Sequence, residues 1–212
     1  KKDLMLESYE YIQRQQRNLI LNNRSLHLNR NENSYRERAG SILHFDGDKH
    51  FLELSLQNYN NLNLDVKGVY LEEKGQPEKV LYYLKKYRPD ILVLTGHDGE
   101  DNEKKYKTSE YFVEAVKIAR SFDSDLDNLV IFAGACQSDY KKLIDSGANF
   151  ASSPQGGLIH FLDPILAVEK IAYTSIAEVV SVKELIKTTV TGEIGIGGVE
   201  THGKLRLCFP WQ

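Results

Sequence analysis

The sequence predicts an α/β fold, a doubly wound three-layer sandwich around a mainly parallel sheet. Two observations carry this. Short apolar runs alternate with amphipathic tracts at lengths that suit βαβ units. The runs themselves, such as Ile91-Leu92-Val93-Leu94 and Leu129-Val130-Ile131-Phe132, do not alternate in polarity, which marks strands covered on both faces. Right-handed crossovers then place helices on both sides of the sheet.

Taken in order, residues 3–21 carry Leu4, Leu6, Tyr9, Ile12, Leu19 and Ile20 at loosely helical spacing. Residues 22–40 are polar, with five asparagines and Arg24, Arg30, Arg36 and Arg38, and read as a linker or surface loop. A boundary here separates an N-terminal helix and Arg-rich linker, residues 1–40, from the main folded domain, residues 41–212. Residues 42–45 read as the first strand, stopped by Asp46-Gly47-Asp48, and 49–61 as a helix with Phe51, Leu52, Leu56 and Tyr59 inward. A strand over 66–71 follows, then a helix opened by Gly75-Gln76-Pro77 and ended by Pro89. Strands are expected over 90–95, 129–133 and 149–152, with helices over 109–122 and 139–146 between them. Residues 164–172 and 176–188 read as helices, and the glycine-rich tail as a hairpin.

Composition narrows the class. A chain of 212 residues with 41% hydrophobic and 27% charged residues is ordinary for a globular domain, and no run approaches the length of a membrane span. Two cysteines, Cys136 and Cys208, cannot form a disulfide framework, and a reducing interior is the expected compartment. Neither zinc-ligand spacing nor a phosphate-binding loop is present, so no metal and no cofactor are expected. Residues 1–40 carry a net charge of +3 and the remainder −6. The basic arm shows no aromatic stacking pattern and no known nucleic-acid motif, which argues for a solvated helix and linker and against nucleic acid. The chain opens on Lys1 without a methionine and is read as a fragment or processed form.

In doubly wound sheets the working residues lie just beyond the carboxyl ends of the strands. Asp46, Glu72, His97, Cys136 and Ser152 all fall at such ends. A thiol is only a few per cent ionised at neutral pH, and an adjacent imidazole can take its proton. His97 and Cys136 at the ends of neighbouring strands are therefore the candidate base and nucleophile, with the backbone N–H groups of Gly99 and Cys136 as candidate oxyanion donors.

A strand ending in His-Gly followed by one ending in Ala-Cys resembles the caspase-like cysteine peptidases, although Asp98 here stands between His97 and Gly99. The stretches Pro89-Asp90-Ile91-Leu92-Val93-Leu94-Thr95-Gly96-His97-Asp98-Gly99, Ala133-Gly134-Ala135-Cys136-Gln137-Ser138 and Gly147-Ala148-Asn149-Phe150-Ala151-Ser152-Ser153-Pro154 resemble the YabG family of sporulation-specific proteases in endospore-forming Firmicutes. So do Asp163-Pro164, Glu169-Lys170-Ile171-Ala172-Tyr173-Thr174 and Thr191-Gly192-Glu193-Ile194-Gly195. The resemblance runs from about Ser41 to the C-terminus, and departs at Gln155-Gly156-Gly157, where the family has a basic residue and a valine. It implies a caspase-like fold and a cysteine endopeptidase that cleaves after arginine in spore coat or germination proteins and in itself. It further implies a place in the mother-cell cytoplasm, at the forming spore coat.

A P1 arginine needs a carboxylate. Asp46 is the first candidate, with Asp48 and Asp163 behind it and Ser152 on the same edge; Asp46-Gly47-Asp48 reads equally as a turn with a helix cap. Glu72 and Glu73 are further acids at the edge. Asp98, next to His97, is placed either to orient the imidazole or to stand as an exposed loop acid, and the loop reading is preferred. Arg24, Arg30, Arg36 and Arg38 are candidate self-cleavage sites. Partners are then protein substrates, with no nucleic acid or membrane; oligomeric state is open. Two other classes remain: an amidotransferase-like Cys/His hydrolase, which would prefer glycine where Ser138 stands, and a non-catalytic receiver-like or scaffold module.

Overall fold

The computed structural model describes residues 36–99 and 105–208. Ala39–Arg206 form one compact unit. Arg36–Arg38 and Leu207–Cys208 are the described part of a second. The helix expected over 3–21, and Arg24 and Arg30, lie outside the described residues.

Five parallel strands and one antiparallel edge strand make the central sheet. They are β2 (Ile42–Asp46), β3 (Val66–Tyr70), β4 (Ile91–Thr95), β5 (Val130–Ala133), β6 (Phe150–Ser152) and β8 (Ile196–Gly198), in spatial order β3-β2-β4-β5-β6-β8. The order reverses direction after β3, as in doubly wound sheets. Strands β2, β4, β5 and β6 are buried at every residue, which in β4 and β5 shows as near-continuous apolar runs.

Alternation along the strands sorts two cores. Leu43, Phe45, Leu92, Leu94, Ile131 and Ala133 face α2 (Gln76–Tyr87), α3 (Ser109–Phe122) and α4 (Tyr140–Asp145) through Val80, Leu84, Phe112, Val116 and Leu143. The intervening residues of the same strands point to the opposite face, where α1 (Lys49–Asn61) and α5 (Asp163–Tyr173) pack. The three layers are thus those of an α/β sandwich. Helix α1 starts where expected because the Asp48 side chain accepts from the amides of His50 and Phe51. Helix α2 ends at Arg88, which takes φ 44° and hands the chain to Pro89.

Two expectations for the C-terminal third fail. Residues 176–188 are not one helix: Val179–Val180 form β7, which pairs antiparallel with β9 (Thr201–His202), and only Val182–Thr188 are helical, as α6. The glycine-rich tail is not a hairpin. Its first strand, β8, closes the edge of the main sheet against β6, and β10 (Arg206–Cys208) pairs with β1 (Arg36–Arg38). Cys208, at the end of β10, is half-buried. Among the described residues no helix is long and apolar enough to cross a membrane.

Candidate active site

The register of the sheet sets the site. Asp46 pairs with Thr95, and Leu94 with Ala133, so the carboxyl ends of β2, β4 and β5 stand side by side. The chain leaves β4 through Gly96 into His97 and leaves β5 through Gly134 into Cys136. Gly134 takes φ +123°, and a Cβ there would lie 2.1 Å from the Ser152 hydroxyl oxygen, so only glycine allows this exit. A Cβ on Gly96 or Gly47 would fall within 2.4 Å of Glu73 Oε1. Their bareness admits the Glu73 carboxylate, which accepts from the His97 amide at 2.7 Å.

His97 and Cys136 open into one cleft, walled by Phe51 of α1, by Ile159 and Phe161, and floored by Asp46 and Thr95. The cleft opens on the α1/α5 face. The imidazole is exposed and edge-on to Phe51, with ring centroids 6.1 Å apart. Its Nε2 lies 3.4 Å from Asp48 Oδ2, a carboxylate that can only accept, which favours the tautomer with the proton on Nε2 and Nδ1 as the acceptor. The Cys136 thiol is half-buried; burial pushes its pKa up and the Asp46 carboxylate pushes it further, while its own backbone N–H opposes them. Beyond Cys136 the loop is braced from outside. Ile159 N–H donates to the Cys136 carbonyl at 2.9 Å, and the Gln137 amide to the Gly156 carbonyl at 2.8 Å.

The floor of the cleft is polar within an apolar face. Asp46 is only 5% exposed. Its Oδ1 accepts from the Asp48 amide at 2.8 Å and its Oδ2 from the Thr95 hydroxyl at 2.8 Å. His44 Nε2 lies 2.7 Å from that hydroxyl, and burial drives the His44 pKa down to about 3, so the ring is neutral and donates to Thr95. No Lys or Arg pairs with Asp46 among the described residues, and its pKa is pushed up to about 6, chiefly by burial.

The other candidates fall elsewhere. Asp163 is fully buried; Oδ1 accepts from the Val190 and Thr191 amides and Oδ2 from the His160 amide, so it pins the turn before α5 to the segment after α6. Ser152 is fully buried against Gly134, its hydroxyl without a hydrogen-bond partner. Neither lines the cleft. The Gly99 amide donates to its neighbour Asp98 at 2.8 Å and is not presented to the cleft as a free donor. Asp98 is not the loose loop acid expected; four donors converge on it. Arg36 and Arg38 are exposed on β1. Sequence reasoning missed His44 and Thr95, both of which line the cleft, and the anchoring by Glu73. Thr95 had a signal, as a hydroxyl closing an otherwise aliphatic strand; His44 had none, because a histidine inside a strand reads as packing. Among the described residues no group of three or more His, Cys, Asp or Glu side chains is arranged to hold a metal ion.

This geometry can be set beside known proteins. The chain is 45% identical over 185 residues to the sporulation-specific protease YabG of Bacillus subtilis strain 168, an alignment that covers 84% of this chain and 64% of that protein. The chain therefore spans a little under two thirds of that relative's length. A family model described as YabG peptidase U57 matches residues 1–210. With nearly every residue inside that match, the chain belongs to the YabG peptidase U57 family.

Proposed function

We propose that the chain is the catalytic portion of a cysteine endopeptidase, with Cys136 as nucleophile and His97 as base. The observation that carries this reading is the cleft shared by an imidazole, a thiol and a buried carboxylate on which no Lys or Arg sits among the described residues. Asp48 holds the proton on Nε2, so Nδ1 takes the thiol proton. The Cys136 sulfur attacks the scissile carbonyl carbon, and the developing oxyanion meets the Cys136 backbone N–H. Gly99 joins it only if its amide leaves Asp98 when substrate binds. The tetrahedral adduct collapses to a thioester as the imidazolium returns its proton to the leaving amine. Water, deprotonated by the same ring, then releases the acid.

Asp46 is the residue we assign to a P1 arginine. It faces the cleft and has no Lys or Arg partner among the described residues, whereas Asp48 is engaged with His97 and the α1 cap, and Asp163 and Ser152 are enclosed. The relative's printed name supports protein substrates made or processed during sporulation, and spore coat and germination proteins in the mother cell are the substrates we propose. Ser138 weighs against the amidotransferase-like alternative, which would prefer a glycine there. Arg36 and Arg38, exposed on β1, are accessible self-cleavage sites, with Arg24 and Arg30 as the others.

The test is cleavage of a short arginyl peptide by wild type, Cys136→Ala and His97→Ala, with mass spectrometry of each N-terminus after prolonged incubation. Loss of about two to four orders of magnitude in both variants is expected. Equal cleavage by Cys136→Ala refutes the dyad; identical N-termini in wild type and Cys136→Ala refute self-processing alone.

A further inference from the structure

One side chain ties together the two loops that deliver His97 and Cys136, without lining the cleft between them. Asp98 follows His97. Its Oδ1 accepts from the Gly99 amide at 2.8 Å and the Thr108 amide at 3.0 Å. Its Oδ2 accepts from the Ser109 hydroxyl and, at 3.3 Å, from the Ser138 hydroxyl. Ser138 is fully buried, and its oxygen accepts from the Ala135 amide at 2.9 Å, one residue before Cys136. The Ser109 oxygen accepts from the Asp139 amide at 2.8 Å, three residues after Cys136. The Thr108 hydroxyl donates to the His97 carbonyl, closing the ring on its own side.

We propose that Asp98 is a positioning residue, one carboxylate that fixes the His97 loop against the Cys136 loop through Ser138 and Ser109 and so sets the separation of imidazole and thiol. The proposal rests on the Cys136–His97 reading. The chemistry demands a carboxylate. Two amide N–H groups and two hydroxyl O–H groups converge on one side chain, and only an ionised Asp or Glu offers acceptors to all four. Asparagine keeps an oxygen for Gly99 and Thr108 but presents Nδ2–H to the serines. Each serine oxygen then receives a second donor beside the backbone amide it already serves, and each hydroxyl proton loses its acceptor. The His97 side of the knot survives and the Cys136 side loosens. Glutamate keeps the charge but is longer by one methylene, which drives the two loops apart. The same knot holds the Gly99 amide on Asp98, so loosening it also alters which N–H groups meet an oxyanion.

The experiment compares wild type, Asp98→Asn, Ser138→Ala and the double variant as the full chain, with Cys136→Ala alongside. The readouts are kcat and KM on an arginyl peptide, the pH dependence of Cys136 alkylation by iodoacetamide, and the thermal midpoint. Each single variant is expected to lose about tenfold to a hundredfold in kcat with KM nearly unchanged, the scale of a misplaced reacting group. The double variant is expected to lose no more than the worse single, because both substitutions break one connection. Alkylation is expected to need higher pH in all three, because the base no longer sits beside the thiol, a change that a merely structural residue would not produce. Unchanged kcat in the folded variants, losses that multiply in the double, or alkylation profiles that overlay wild type overturn the proposal. Where Asp98→Asn fails to fold, Ser109→Ala removes one bond of the same knot and must show the same lowered kcat and raised alkylation pH, or the proposal falls. A wild type without Cys136-dependent cleavage overturns the dyad reading and the proposal with it. Cys136-dependent cleavage untouched by these substitutions overturns the positioning role alone.

Discussion

Replacing Asp46 by Asn separates the stability of the cleft from its use. Asp46 is buried, with one amide and one hydroxyl as donors and no cation among the described residues. Its pKa stands at about 6 against an ordinary 3.8, with burial the largest cause and the Asp48 charge adding to it, while the Asp48 amide, Thr95 and His97 pull the other way. Because the folded state holds this proton more tightly than the unfolded chain, stability is fullest below about pH 4 and falls as pH rises through about 6. The difference amounts to about 3 kcal/mol by pH 8. Asparagine abolishes that ionisation. It retains an oxygen for the Asp48 amide, and the Thr95 hydroxyl can turn its proton to the Phe45 carbonyl, 3.3 Å away. The weakened hydrogen bonding takes back about 1 kcal/mol. Asp46→Asn is therefore expected to be more stable than wild type by about 2 kcal/mol at pH 8, or about 4–8 °C in thermal midpoint for a chain of this size. At pH 4, where the wild-type carboxyl is protonated, the advantage disappears. Thermal melts by circular dichroism at the two pH values measure it. In the same samples kcat/KM on an arginyl peptide is expected to fall at least about a hundredfold, as for a charge partner lost from a desolvated site. Alkylation of Cys136 at neutral pH should quicken, because the carboxylate that raises the thiol pKa is gone. A variant less stable at pH 8, or equally shifted at both pH values, refutes the account of Asp46 as an unpaired buried acid. Undiminished cleavage after arginine refutes its role in specificity.

Gly134→Ala places a Cβ 2.1 Å from the Ser152 oxygen at φ +123°, and is expected to destabilise by about 3 kcal/mol or more, read as a lowered urea midpoint with unchanged slope. Glu169 on α5 is buried, its Oε1 has no hydrogen-bond partner, and burial raises its pKa from 4.5 to about 7. Its contribution to stability is lost as pH rises through about 7, so Glu169→Gln is expected to gain up to about 3 kcal/mol over wild type at pH 8.5 and nothing at pH 4. Glu169 does not line the cleft, so activity in that variant is expected to stay near wild type.

What was legible in the sequence follows from how far each signal reaches. Ile91–Thr95 and Val130–Ala133 are buried on both faces, so their apolar runs announce strands without help from the rest of the chain. Helix α1 carries its own start in Asp48. By contrast Val179 and Val180 are strand only because Thr201 and His202 lie beside them, a pairing no local pattern states. Gly197 and Gly198 suggested a turn, yet they lie in a strand. A Cβ at Gly198 would sit 2.3 Å from the Asn149 carbonyl oxygen, so the glycine permits close approach to β6. At the site, strand ends could be read and acceptors could not. Asp163 ranked behind Asp46 as a candidate at the edge, and nothing local showed that three amide donors, two of them 27 and 28 residues away, already occupy it. Glu73 could be read as an acid at the edge but not as an anchor, since its partner is a backbone amide reached past two glycines.

Acceptor accounting distinguishes the carboxylates around the cleft better than their positions do. An ionised carboxylate offers about four lone-pair sites. Asp98 has four donors and Asp163 three, all from the protein itself. Asp48 gives one oxygen to the amides of His50 and Phe51 and turns the other to His97. Each of these three is occupied in holding backbone or ring, and recruiting any of them to a substrate would unmake the site. Asp46 alone among the four has two donors, one on each oxygen, and an open face toward the cleft. Its remaining capacity, one site per oxygen, is the pattern a guanidinium fills with two parallel N–H bonds. A lysine reaches the same carboxylate as a single point charge and leaves one oxygen short. Under the proposed reading, selectivity for arginine over lysine therefore arises from the two acceptor sites left open on Asp46, on which no Lys or Arg of the described residues is already seated.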